Sequence, residues 1–415
     1  MQVLLAPHGT RGDVQPMLAL AHALRARGHA AAFVAPSNFV AWIRAHGFDA
    51  VSNAVDAEAV LTEPGADLHS LRWQLRHLGE LVDRLFASLA PAARDADVIV
   101  GAGIQMAGSS IAEWRGVPYA SAVFCPCGVP SRAAPPPTVK TQSLPRWLNR
   151  LLWTIGSPLA TLALRGPLNR ARAGLGLGPL DDVLDHLGGD RIIVAADRDL
   201  APLGDDAPRR AVATDAWILE DGDADLDEAL AGFLELEPPP VYIGFGSMVA
   251  RHVPELAEQA VAAVRAAGRA AIVAGGWADL GRDLPRDDDL LIVRAVPHAL
   301  ILPRVAAAIH HGGAGTTTAA ARAGVPQIVL PHILDQFYWA HRVATLGLGP
   351  RGLPVSLVNA DVLADRLHTA IDDPRCAARA AAFAERIGGR NGAADAVDHL
   401  EQIVSAAVPM AERAT

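Results

Sequence analysis

Short apolar runs alternate with longer amphipathic ones along most of the chain. Residues 2–7 form an apolar run, GTRGD a turn, and VQPMLALAHALRARG carries apolar positions at helical spacing up to Gly28. This predicts strand, loop and helix, with the glycine as C-cap. AAAFVAP predicts a second strand, FVAWIRAHG a second helix and FDAV a third strand. Further strands are predicted at 97–101, 117–124 and 191–196. Strands alternating with helices predict a parallel, doubly wound sheet, and residues 1–205 are assigned to one α/β domain.

Residues 206–238 are acidic and run into Pro238, Pro239 and Pro240, the composition of an interdomain linker. A second α/β domain is assigned to 239–391, with strands predicted at 241–246, 270–275, 290–294, 305–310 and 326–331. In the closing segment, 392–415, Ala396, Val397, Leu400, Ile403 and Val404 recur at helical spacing and predict a terminal helix and tail. Inside the first domain, 125–187 is a long insertion, either disordered or a lid over a cleft. Its stretch LPRWLNRLLWTIGSPLATLALRG is read as a buried lid helix in preference to a membrane-surface helix. DGDADLD, in the linker, is read as a solvated acidic loop in preference to a metal-binding cluster.

Composition narrows the function. With 51% hydrophobic and 20% charged residues the chain is that of a globular protein. A net charge of −9 with Lys140 as the only lysine argues against a nucleic-acid binder. That lysine lies in a Pro-rich loop, which also argues against pyridoxal phosphate chemistry. Cys125, Cys127 and Cys376 are too few for a disulfide framework and lack the second pair of a zinc site, so reduced thiols in a cytoplasmic protein are expected. MQVLLAPHG lacks the basic flank of a signal peptide, and no run of about 20 apolar residues predicts a membrane span.

The strongest local signal is IHHGGAGTTTAAARAG, residues 309–324. A strand ends at His310, Gly312, Gly313, Ala314 and Gly315 form a flexible turn, and Thr316 to Thr318 open a helix. Glycines let a ligand approach the backbone, and the free N–H groups of a helix start attract phosphate, although a tight connection has the same appearance. One of His310 and His311 can donate to a phosphate oxygen while the other faces inward. Strand neighbours point to opposite faces, which argues against a shared metal. GFGSM sets Ser247 at the carboxyl end of a strand, where ligands collect in open α/β sheets. Asp335 and Gln336 follow another strand and suit either hydroxyl binding or helix capping. PHGTRGD places Thr10, Arg11 and Asp13 after the first strand, with Asp13 either an N-cap or a general base, and His8 a weaker rival read as a packed or surface histidine.

Together GTRGDVQPMLALAHALRARGH, PVYIGFGSM and IHHGGAGTTTAAARAGVPQIVLPHILDQFYWAHRVATLGLG resemble the GT-B glycosyltransferases that include the vancomycin-type antibiotic, macrolide and sterol enzymes. The resemblance covers nearly the whole chain and is weakest over 56–90 and 125–187. It implies two Rossmann-like domains facing a cleft, a nucleotide-sugar donor held mainly by the second, and inversion at the anomeric carbon without a cofactor or a bound metal. His310 matches the histidine at the donor diphosphate, Gly312 to Thr317 (with Gly313, Ala314, Gly315 and Thr316) the phosphate loop, and Ser247 the serine beside it. Asp335 and Gln336 match the pair at the donor sugar, and Asp13 the catalytic base. Thr10 and Arg11 are grouped with the donor-binding residues. Ala295, Val296 and Pro297 lack the aromatic that stacks on uracil in plant relatives, so base recognition is assigned to the Val296 backbone with Trp277 as a wall, and UDP and TDP both stay open. Trp147 and Trp153 point to a small-molecule acceptor with a hydrophobic scaffold, and to peripheral membrane contact at most. The rivals are a sugar-nucleotide epimerase and a non-catalytic nucleotide-sugar binding protein.

Overall fold

The computed structural model describes residues 1–62, 71–220, 226–247, 253–285, 287–294 and 296–412. The amino-terminal half runs β1 (Gln2–His8), α1 (Arg11–Ala26), β2 (Ala30–Ala35), α2 (Ser37–Ala45), β3 (Asp49–Ser52), α3 (Ala57–Thr62), α4 (Leu71–Ala92), β4 (Val98–Gly103) and α5 (Gly108–Arg115). It continues through β5 (Tyr119–Val123), α6 (Arg146–Gly174), α7 (Val183–Gly188), β6 (Arg191–Ala195) and β7 (Ala211–Thr214). Its seven strands are all parallel, in the order β3-β2-β1-β4-β5-β6-β7. Helices cover both faces of such a sheet, so its central strands are continuous apolar runs, and β1 is buried from Val3 to His8.

The second half runs α8 (Glu228–Leu234), β8 (Val241–Gly244), α9 (Val253–Ala266), β9 (Ala271–Ala274), β10 (Leu290–Val293), α10 (His298–Ile301), β11 (Ala307–His310), α11 (Ala314–Arg322), β12 (Gln327–Val329) and α12 (Gln336–Leu346). It closes with α13 (Ala360–Asp372), α14 (Pro374–Ile387) and α15 (Ala393–Glu412). Its five parallel strands take the order β10-β9-β8-β11-β12. In both sheets the strand order reverses beside the first strand, between β1 and β4 and between β8 and β11. Such switch points open crevices at the carboxyl ends of the strands.

Several boundaries move for local reasons. α1 starts at Arg11, three residues before the apolar run, because Thr10 caps it in a capping box completed by Asp13. β7 extends the first sheet to Thr214, inside the stretch whose acidic composition reads as linker, and α8 then packs into the second domain through Leu230 and Leu234. Of DGDADLD, residues 221–225 lie outside the described residues, while Asp227 caps α8 by accepting from Leu230 N at 2.7 Å. α15 returns to the first domain, where Ala396, Val397, Leu400 and Ile403 join the core of α1 and the sheet.

The insertion is ordered around one long helix, α6. Leu168 is buried against Val82, Leu85 and Phe86 of α4. The expected burial of the whole helix does not hold, because Trp147, Leu151, Ile155, Leu159 and Leu162 on its first half are 44–75% exposed. The two domains share a core in which Cys125, Cys127 and Val129 pack with Tyr338, Trp339 and Val343. A partly buried ion pair between Arg322 and the buried Asp197, at 2.5 Å, joins α11 to the first domain. Among the described residues no helix is long and apolar enough to cross a membrane.

Candidate functional site

The two switch points lie near each other, since Asp335 acts on Asp13 and Arg11 on Tyr242 and His298, and each holds titratable side chains. At the first, Asp13 extends from the third position of α1 into the space between the ends of β1 and β4, where a Cβ on either Gly9 or Gly103 would collide with its carboxylate. Its Oδ2 accepts from Thr10 N at 2.8 Å, and the Thr10 hydroxyl lies 3.4 Å away. Capping and a cleft position thus coexist in one residue, so the first does not exclude the second. Burial pushes the Asp13 carboxyl up to about 6 against the opposing Thr10 N–H, and Asp335 adds to the rise. His8 is buried, with its Nδ1 3.0 Å from the Asn53 amide.

Asp335 belongs to the other domain. It precedes α12 but makes no capping bond; its Oδ2 accepts instead from Trp339 Nε1 at 3.1 Å, and burial raises its carboxyl to about 6. The residue before it, Leu334, has φ +50°, a left-handed backbone that costs energy for a branched side chain and occurs often at functional turns. Gln336 closes this turn, its Oε1 accepting from His332 N and Ile333 N at 2.8 and 3.1 Å. Arg11, stacked 5.0 Å over Trp42, sends its charge across the cleft to Tyr242 and His298.

At the second switch point the glycine turn leads into α11. Gly313 is its N-cap and no side chain caps the helix. The N–H groups of Ala314, Gly315 and Thr316 therefore lack helical acceptors and carry the positive end of the helix dipole. Open space surrounds Gly315. The Thr317 hydroxyl is turned back onto Gly313 O at 2.9 Å, so its proton is spent inside the helix. Ser247 follows β8, half-buried.

The structure corrects the choice between the histidines. His310 is fully buried; its Nδ1 accepts from Gly312 N at 3.1 Å and its Nε2 faces Gln327 Oε1 at 3.0 Å. Both ring nitrogens are used, leaving no N–H for a phosphate. His311 lies instead between the carboxyl ends of β8 and β11, its ring filling the space that a Cβ on Gly246 or Gly313 would take. Burial lowers His310 to about 4 and His311 to about 3, so both are neutral at pH 7. Of the residues assigned to the base, Val296 has its side chain buried with Tyr242 and Ile301, and the Trp277 ring lies against Phe39 of the first domain, with centroids 6.1 Å apart.

Sequence reasoning missed Gln327, Trp339 and Leu334. Gln327 alone left a signal, as a polar residue in the apolar run PQIVLP. A separate cavity of about 630 Å³ opens beside α6, lined by Pro130, Arg150, Trp153, Leu162, Asp181 and Asp206, and none of the predicted donor or catalytic residues reaches it. Among the described residues no cluster of three or more His, Cys, Asp or Glu is placed to hold a metal.

Comparisons with known proteins bear on the fold and the family. Residues 3–129 match the glycosyltransferase family 28 N-terminal domain, and residues 270–403 match the erythromycin biosynthesis protein CIII-like C-terminal domain. The chain is 39% identical over 415 residues to the vancomycin aglycone glucosyltransferase of Amycolatopsis orientalis, covering 99% of each chain. It is 40% identical over 355 residues to glycosyltransferase GtfE of the same organism, covering 84% of this chain and 85% of that one. Among solved structures, the glycosyltransferase VinC in complex with dTDP superposes with a TM-score of 0.72 at 22% identity, covering 98% of this chain and 100% of that one. The chain belongs to the GT-B-fold glycosyltransferases of the vancomycin type.

Proposed function

We propose that this glycosyltransferase moves a sugar from a TDP- or UDP-sugar to a hydroxyl of an apolar natural-product or sterol-like acceptor, with inversion, without a metal ion, and with the nucleoside diphosphate as leaving group. Asp13 takes the acceptor proton as the oxygen attacks the anomeric carbon opposite the diphosphate. A carboxyl near pH 6 is ionised at neutral pH yet basic enough to accept that proton. Negative charge that develops on the leaving diphosphate meets the N–H groups of Ala314, Gly315 and Thr316, the His311 ring and the Ser247 hydroxyl. Asp335 and Gln336 face the donor sugar. Because His310 has no free ring nitrogen, its expected contact with the diphosphate passes to His311.

The observation that carries this reading is the burial of two carboxylates, Asp13 and Asp335, from opposite domains, the charge of the second adding to the rise at the first, at a cleft that also holds an uncapped helix start. Binding of dTDP to VinC supports a thymidine donor, and the glucosyltransferase relative supports a bulky aglycone as acceptor. The test is a thermal-shift screen of TDP, UDP and their sugars, followed by acceptor screening with mass detection. A nucleoside diphosphate at a hundredfold excess over its Kd stabilises the fold by about 2.7 kcal/mol. No shift with either nucleotide at millimolar concentration rejects the donor assignment, and binding without transfer or hydrolysis of any donor favours a non-catalytic binding protein.

A further inference from the structure

His310 and Gln327 lie beneath the glycine turn, fully buried, and are joined by a hydrogen bond of 3.0 Å between His310 Nε2 and Gln327 Oε1. The direction of that bond is forced. The backbone N–H of Gly312 can only donate, and it points at His310 Nδ1 from 3.1 Å, so Nδ1 must present a lone pair. The imidazole proton then sits on Nε2 and donates to Gln327 Oε1. A flipped Gln327 amide would set N–H against N–H. The remaining Gln327 amide nitrogen is buried without a hydrogen-bond partner. A fold that leaves such a donor unpaired gives up stability to keep the other end of the amide in place.

What this relay holds is the turn itself. Gly312 has φ +87°, a conformation that strongly favours glycine, and a Cβ there would meet Val329 Cγ1 at 2.7 Å and Gln336 O at 3.0 Å. The next four residues, Gly313 to Thr316, are the N-cap and the free N–H groups of α11. Gln327 in turn is held by its backbone N–H, which donates to Leu348 O at 2.9 Å. A hydrogen-bonded path thus runs from β12 through an imidazole of fixed tautomer to the backbone that leads into the anion site.

We propose that His310 and Gln327 are positioning residues that set the shape of the diphosphate loop by locking His310 in its Nε2–H tautomer. The inference rests on the donor-site reading above. The other titratable groups that face His310 are His298 and His311, both kept neutral by burial. A protonated His310 would turn an Nδ1–H against Gly312 N–H, so the loop needs the neutral ring.

The experiment pairs nitrogen NMR of the His310 ring with calorimetric binding of TDP and UDP to the full chain. Wild type should show the Nε2–H tautomer. Gln327→Leu removes the acceptor at similar volume and should weaken nucleotide binding about tenfold while mixing the tautomers. Gln327→Glu restores an acceptor; it should bind nearly as wild type at pH 8 and fall away from wild type as pH drops, because the carboxylate favours the imidazolium. Comparison with wild type at each pH removes the titration of the nucleotide itself. An Nδ1–H tautomer in wild type overturns the proposal even if no variant folds. Wild-type binding with equal affinity in folded Gln327→Leu also overturns it, whereas failure of wild type to bind either nucleotide rejects the donor site itself.

Discussion

Asp13 and Asp335, brought together from opposite domains, are both raised to about pH 6, chiefly by burial, and the charge of Asp335 contributes to the rise at Asp13. If Asp13 is the base, donor turnover climbs as pH passes through about 6 and Asp13 ionises. Replacing Asp335 by Asn removes the like charge, so the acid limb of the kcat/KM profile should move to lower pH, whatever the variant loses in absolute rate. A limb that stays in place or moves upward shows that the two carboxyls do not sense each other.

The same shift has a cost in stability. A carboxyl whose pKa is higher in the folded state than in the unfolded one favours folding below the unfolded value near 3.8, and that contribution is lost as pH rises through 6. Asp13→Asn keeps an acceptor for Thr10 N–H and carries no charge. It should therefore melt higher than wild type at pH 8, by about 1–2 kcal/mol after allowance for partial solvent exposure, and the advantage should vanish near pH 4. Thermal scans at the two pH values measure this, and equal melting at both removes the buried-charge argument.

His311 and Gly313 form a second pair, since a Cβ on Gly313 would collide with His311 Nε2. His311→Ala should weaken TDP or UDP binding about tenfold to a hundredfold. Gly313→Ala, whose backbone at φ −66° tolerates alanine, should weaken it by displacing the ring. The double variant should then be no worse than the poorer single one. Additive losses in calorimetry show that the two residues act separately.

Chelation tests the charge scheme. EDTA should leave transfer unchanged, since the α11 start, His311 and Ser247 are proposed to meet the diphosphate charge. Activity lost to EDTA and restored only by a divalent ion contradicts this.

Strand and helix periodicity was enough to read the two parallel sheets, and the glycine turn after His310 was enough to find the start of α11, which no side chain caps. What stayed hidden depends on tertiary neighbours. Strand alternation says that His310 and His311 point to opposite faces, but the inward face is known only when Gln327 appears below His310. β7 hides in an acidic stretch because edge strands need little apolar sequence. The exposed arc of α6 from Trp147 to Leu162 reads as buried because apolar helical spacing marks a face without saying what covers it. Asp13 is ambiguous in sequence because one residue both completes the capping box and enters the cleft.

The most direct test of the account is turnover by Asp13→Asn, followed as transfer to an acceptor and as hydrolysis of TDP- and UDP-sugars. The account predicts a folded variant with wild-type nucleotide affinity and a rate reduced about 10²- to 10⁴-fold, because the substitution spares the cap and removes only the base. A folded variant with near wild-type turnover would contradict it and leave Asp335 as the group to examine.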